Sequence, residues 1–236
     1  MRRAGRVVAE MHSASAAILR PGINTGDLDR VCREVIERRG ARSNFLGYHG
    51  FPAVACISVN EEVVHGIPGR RVLHEGDIVS IDCGAIIEGW HADAAITLPV
   101  GEVDGDSLRL IDVTKAALEA SITRCIPGRT VGDLGAASMA VVKAAGFDFL
   151  REYTGHGIGR ALHEDPDVPN YGKRGRGMRL KVGHVLAIEP MVTAGEADVV
   201  TLEDDWTVVT TDGSRSAHFE HTIAVTDNGP EILTLP

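Results

Sequence analysis

A chain of 236 residues, 44% hydrophobic and 24% charged, has the make-up of a globular protein with room for a substantial core. Its net charge of −9 and the lack of a long basic run argue against nucleic acid as a direct partner; RGRGMRLK at 174–181 is short and isolated and reads as a solvated loop. No apolar stretch approaches the roughly 20 residues of a membrane span. The N-terminal segment lacks the sustained apolar core of a secretory signal. Cys32, Cys56, Cys83 and Cys125 form no C-x-x-C pair, which points to free thiols in a reducing cytoplasm and away from a cysteine-rich zinc site.

In chain order, residues 1–19 read as a helix. PGINTGDL, from Pro21, opens a second one in which Leu28, Val31, Val35 and Ile36 share a face and Gly40 marks the end. Strands are expected at 53–59, 77–87 and 91–98, with a Gly-Pro loop at 65–70 and a turn at Glu88-Gly89 that makes the last two strands a hairpin. A helix over 105–124 follows, then PGRTVGDL from Pro127 and another helical stretch closing at Gly146. Loops are expected at 155–159 and 165–177, and strands at 183–193, 198–202, 206–210 and 218–226.

Two of these segments recur. PGINTGDL and PGRTVGDL share P-G-x-x-x-G-D-L at an offset of 106 residues, Pro21 to Pro127. LHEGDIVSID (73–82) and LKVGHVLAIE (180–189) share L-x-x-G-x-[IV]-x-x-I-[DE] at an offset of 107, Leu73 to Leu180. Two motifs in one order at one offset imply two related α/β halves, about 1–105 and 106–236; two copies are too few for a solenoid. With no Pro- or Ser-rich linker between them, a single domain over 1–236 is expected.

The repeat also accounts for the placement of acids in apolar surroundings. Asp82 lies in IVSIDCGAII, Glu189 in HVLAIEPMV and Glu220 in AHFEHTIAV, while Asp93 stands across the hairpin from Asp82 and His156 in TGHGIG is flanked by glycines. A buried carboxylate is costly unless it is paired, protonated or bound to a metal. Four carboxylates and an imidazole form an oxygen-rich set that suits two divalent ions (Mn, Fe(II) or Co, with Zn tolerated) and hence hydrolysis. Pro190 is expected to end regular pairing and leave Glu189 at a strand end.

VVHGIP, IDCG…HADAA, GHGIGRALHEDP, IEPM and EHTIAVTDNG, in this order, closely resemble the type I methionine aminopeptidases in their compact bacterial form, over nearly the whole chain. The resemblance implies the "pitta-bread" fold: α/β (α+β), two pseudo-symmetric halves around a central antiparallel sheet with helices outside. It implies metal ligands at Asp82, Asp93, His156, Glu189 and Glu220. It gives catalytic roles to His65, facing the scissile amide nitrogen, to His163, facing the developing oxyanion, and to Glu189. A substrate pocket of Phe45, Tyr48, Phe51, Cys56, Leu162 and Trp206, with His65 and His163, is implied as well. Asn60 and Ser216 match positions near a monovalent-cation site in some relatives. The implied activity is removal of an initiator methionine before a small second residue, by attack of a metal-bridging hydroxide on the first peptide carbonyl. The implied partner is the N-terminal Met of nascent peptides, met in the cytoplasm by a monomer. Transient ribosome association is compatible with this activity, though the acidic balance offers it no electrostatic support, and neither nucleic acid nor membrane is a partner. A proline-specific peptidase of the same fold, or a metal-free binding protein built on it, are the competing readings.

Overall fold

The computed structural model describes residues 1–236, and its helices fall where apolar residues recur at helical spacing. Helix α1 (Arg2–Ile18) buries Ala4, Val7, Val8 and Met11 along one face. Helix α2 (Thr25–Arg38) opens with a capping box: the Asn24 side chain accepts from the Asp27 amide at 3.0 Å, and Asp27 accepts from the Asn24 amide at 3.1 Å. Helix α3 (Gly105–Ile122) is capped by Asp104, which accepts from the Ser107 amide at 2.7 Å. Helix α4 (Val131–Ala144) repeats the box of α2, with Asp133 accepting from the Thr130 amide at 2.8 Å. Gly40 (φ 59°) and Gly146 (φ 78°) take the left-handed conformation just past α2 and α4, where a side chain would be strained.

The strands are β1 (Arg42–Ser43), β2 (Ala55–Val59), β3 (Glu62–Val64), β4 (Ile78–Ile87), β5 (Trp90–Pro99), β6 (Asp148–Phe149), β7 (Gly155–Gly157) and β8 (Glu164–Val168), followed by β9 (Val185–Ile188), β10 (Met191–Thr193), β11 (Val199–Thr201), β12 (Val208–Thr210), β13 (Ser216–His218), β14 (His221–Thr226) and β15 (Gly229–Ile232). Every ladder is antiparallel. In the first sheet β4 is central, with β1 and β2 along one edge and β5 along the other. The second half carries a five-stranded sheet, β15-β14-β9-β7-β8, and two small sheets, β13-β10-β6 and β11-β12-β3, complete the set. Strand β3 belongs to the first half and pairs with β12 of the second.

Helices α1 and α2 bury Val8, Met11, Leu28, Cys32 and Val35 against Ile57, Val79, Ile81 and Cys83 of the first sheet. Helices α3 and α4 do the same over the second half, with Leu118 and Leu134 packed on Leu186, Ile188 and Ile223. The helices therefore lie outside and the sheets inside. The two halves join along β5. Ala95 and Glu220 exchange backbone hydrogen bonds of 3.3 and 2.9 Å. The Thr97 hydroxyl accepts from the His218 amide (2.8 Å) and donates to its carbonyl (2.9 Å). The Thr222 hydroxyl accepts from the Asp93 amide (2.9 Å) and donates to its carbonyl (2.7 Å).

Several expectations change. The strand expected at 183–193 breaks at Glu189-Pro190 into β9 and β10, which sit in different sheets, because proline has no N–H to continue the ladder. The strand expected at 218–226 likewise divides: β13 ends at His218 and β14 starts at His221. The loop expected at 155–159 is largely strand β7, and that at 165–177 begins inside β8. Gly155 and Gly157 are there for closeness rather than bending, since a Cβ on either would collide with the carbonyl of Ala187 or Asp165. Asp82 and Asp93 lie close to opposite one another, as expected, without being directly paired. The turn at Glu88 (φ 53°) and Gly89 (φ 74°) pairs Ile87 with Trp90, so Asp82 faces Ala95 and Asp93 faces Gly84. The offset is two residues, and both carboxylates still leave the same face of the sheet. No helix is long and apolar enough to cross a membrane.

Candidate metal centre

The strand ends and the seam converge on a cavity of about 340 Å³. Asp82 reaches it from β4, Asp93 from β5, His156 from β7, Glu189 from the break after β9 and Glu220 from the break before β14. His65, His163, Phe45, Tyr48, Phe51, Cys56, Leu162 and Trp206 also line it, so the metal, catalytic and substrate residues named from the sequence meet in one place. Asp93, His156 and Glu220 are buried; Asp82 and Glu189 keep partial access.

The polar end has the character of a cation site. One donor atom each from Asp93, His156 and Glu220 lie within 4.8 Å of one another, as do one each from Glu189, His218 and Glu220. Glu189 stands between two imidazoles: its Oε1 is 3.6 Å from His156 Nε2 and its Oε2 is 3.6 Å from His218 Nε2. His156 Nδ1 is 2.8 Å from the Gly157 carbonyl, which holds the ring proton on Nδ1 and leaves the Nε2 lone pair facing the cavity. Asp82 Oδ1, Asp93 Oδ1, Glu220 Oε1 and His218 Nε2 are buried with no hydrogen-bond partner. No lysine or arginine pairs with any of the four carboxylates.

Burial pushes all four carboxyls above their ordinary range, and repulsion from neighbouring acids adds to it for Asp82, Glu189 and Glu220. For Asp82 and Glu220 burial acts first and the neighbouring acids second; for Glu189 it is burial and then Asp93, and for Asp93 burial dominates. Burial lowers His156 to about 4, so its imidazole is neutral at physiological pH. Neutral imidazole nitrogen and crowded carboxylates with unfilled acceptor sites fit divalent cations, which would satisfy the orphaned atoms and the charge together.

Around this centre stand two further histidines. His65 adopts φ 60° and is lowered to about 4 by burial; its ring packs edge-on against Tyr153 (5.6 Å) and Trp206 (6.0 Å). His163 Nδ1 lies 2.7 Å from the Tyr48 hydroxyl, and its ring centre is 4.2 Å from that of His156. The other end of the cavity is apolar. Phe51 meets Phe45 edge-on at 6.4 Å and Trp206 at 5.0 Å, and Leu162 and Cys56 close the wall. Burial pushes the Cys56 thiol up, which keeps it a neutral, soft surface. Away from the cavity, Ser216 donates its amide to the Asn60 carbonyl at 2.8 Å, and Asn60 (φ 55°) bonds Asp77 through its side chain, also at 2.8 Å, so the two residues named for a monovalent cation are neighbours.

The sequence reading missed His218, His49, Tyr153 and Met191, all of which line the cavity. For His218 there was a signal: in AHFEH it stands two residues before Glu220, the spacing that puts two side chains on one face of an extended chain. His49 sits in a short turn at φ 45°, where sequence gives no direction to the side chain.

A sequence model of metallopeptidase family M24 matches residues 1–227. The chain belongs to that family. It is 50% identical to a methionine aminopeptidase of Clostridium acetobutylicum over 236 residues, spanning 100% of this chain and 94% of the relative. It is also 50% identical to methionine aminopeptidase 1 of Bacillus subtilis over 234 residues, with 99% and 94% covered. Among solved structures, methionine aminopeptidase from Thermotoga maritima superposes with a TM-score of 0.99 at 46% identity, covering 100% of this chain and 95% of that one. The mixed α/β architecture with its antiparallel sheets is therefore the M24 pitta-bread fold, and as an M24 metallopeptidase the protein is a metal-dependent hydrolase.

Proposed function

We propose that this M24 chain is a methionyl aminopeptidase, a single catalytic domain over 1–236 that removes the N-terminal methionine of a nascent polypeptide when the second residue is small. The observation that carries this reading is the junction of two chemistries in one cavity: buried acceptor atoms without partners at one end, and an apolar, thiol-lined wall at the other. The names and high identity of the relatives support it.

Asp82, Asp93, His156, Glu189 and Glu220 would hold two divalent ions of the Mn, Fe(II), Co or Zn class. Bound there, such ions supply Lewis acidity and lower the pKa of water towards neutrality. The methionine side chain fills the space between Phe45, Phe51, Cys56, Leu162 and Trp206, with Tyr48 at the rim. Filling that wall sets the first peptide carbonyl beside the carboxylates. Glu189, whose carboxyl is pushed up by burial, takes the proton of the attacking water and passes it to the departing amine. His65 is neutral and hydrogen-bonds the scissile amide nitrogen. His163, with Nδ1 engaged by Tyr48, offers Nε2 to the developing oxyanion. The preference for a small second residue is the one that the family resemblance implies. Asn60 and Ser216 would seat one monovalent cation. The enzyme acts as a monomer in the cytoplasm, where nascent chains are met in transient contact with the ribosome.

The decisive assay supplies the purified protein with Mn(II) or Co(II). It should release Met from Met-Ala-Ser and spare both Met-Lys and Xaa-Pro peptides. Cleavage of the Xaa-Pro peptide alone would favour the proline-specific reading, and no release with any divalent ion would end the enzyme reading.

A further inference from the structure

Among the residues that line the cavity, His218 is the unpartnered buried polar group outside the five-ligand set. It is 2% exposed, lines the cavity, and its Nε2 has no hydrogen-bond partner. Its position is not adjustable. The backbone on both sides is held by Thr97, at 2.8 Å to the amide and 2.9 Å to the carbonyl, and Thr97 is itself buried and bonded to Ser80 at 2.8 Å.

The neighbour of His218 Nε2 is Glu189 Oε2, at 3.6 Å. That separation is too long for an N–H···O hydrogen bond, which falls at about 2.7–3.2 Å. It suits two donor atoms that share a cation. Ligands each about 2.1 Å from one ion, subtending about 110–120°, stand about 3.4–3.6 Å apart. The pair on the other side of Glu189 supplies a reference: Oε1 to His156 Nε2 is also 3.6 Å, and His156 belongs to the ligand set implied by the family resemblance. Glu220 completes the group, with one donor atom each from Glu189, His218 and Glu220 within 4.8 Å.

We propose that His218 is a sixth protein donor of this centre, its Nε2 joining Glu189 and Glu220 around one of the two ions. The inference rests on the metal-centre reading and goes beyond it. It makes the centre a two-imidazole site, softer than the four-carboxylate, one-imidazole set, and so shifts its preference from Mn(II) towards Co(II) and Zn(II).

The test needs no turnover. The metal-free full chain and its His218→Gln variant are titrated with Co(II), followed by calorimetry and by visible absorption, and the zinc-loaded proteins are compared by X-ray absorption. Expected are two imidazoles per pair of ions in the wild type and one in the variant, a changed Co(II) spectrum, and one site weakened at least about 10-fold. One imidazole in the wild type, or superimposable isotherms and spectra, would overturn the proposal and leave His218 a spectator. The wild-type imidazole count stands whether or not the variant folds. A wild type that binds no divalent ion would fail differently, by removing the metal centre itself.

Discussion

The two copies of the L-x-x-G-x-[IV]-x-x-I-[DE] segment deliver their acids in different ways. In the first half the strand runs on past Asp82 to Ile87 and turns into β5, so the carboxylate is held in the middle of a ladder on the face it shares with Asp93. In the second half Pro190 stops the ladder one residue after Glu189 and β10 leaves for another sheet. Glu189 stands between His156 and His218, and its carbonyl accepts from the Asn170 side chain at 2.9 Å. A repeated motif has put two carboxylates into one cavity. The departure from the repeat leaves one of them placed for the proton transfer proposed above.

The largest test of this contrast is the pair Asp82→Asn and Glu189→Gln. Both remove a charge and keep the shape. Asp82→Asn should weaken divalent binding while metal-saturated protein retains measurable kcat. Glu189→Gln should lower kcat by about 10³-fold or more even at saturating metal, because the proposed reaction makes Glu189 both proton acceptor and ligand. Equal losses in kcat would make the two acids alike in role and break the comparison.

The halves should also differ in acid. Position 12 in α1 corresponds, at the 106-residue offset, to position 118 in α3, and both are buried, but one is His12 and the other Leu118. His12 Nε2 bonds the Ile81 carbonyl at 3.1 Å, and burial, then His221, lowers its pKa from 6.5 to about 4. The depressed folded value means stability that is present above pH 6.5 and lost as pH falls towards 4, with about 3 kcal/mol as the full extent. Chemical denaturation from pH 7 to 4 should show wild type losing more stability than His12→Leu, with His65 and His156 titrating alike in both. An unchanged slope in the variant would assign the acid sensitivity elsewhere.

The smallest effect concerns the parts that the halves share most closely. Asn24→Ala and Thr130→Ala each remove the side chain of an equivalent helix cap and should each cost about 1 kcal/mol, additively within about 0.5 kcal/mol, by urea denaturation. A cost confined to one cap would show that the matching geometry hides unequal tertiary support.

Much of this molecule was readable before folding because its signals are local. The caps at Asn24 and Thr130, the glycines closing α2 and α4, and the Glu88-Gly89 turn are set by a few neighbouring residues. The acids at 82, 93, 189 and 220 were legible because charge inside an apolar strand demands a reason. The unreadable parts depend on distant partners. Strand β7 exists because Gly155 and Gly157 let the chain press against the Ala187 and Asp165 carbonyls, which a Gly-rich stretch equally well disguises as a loop. His218 passed unnoticed because a histidine in an alternating strand looks like core until Glu189 is seen opposite it.

The threonine seam along β5 has a mechanical meaning. Thr97 and Thr222 each grip one residue of the opposing half by both its amide and its carbonyl, at His218 and Asp93 respectively. Two hydroxyls outside the proposed ligand set therefore set the spacing between the jaws of the cavity, and valine in either place, equal in size but unable to clasp, would let the jaws drift while every proposed ligand remained in the chain.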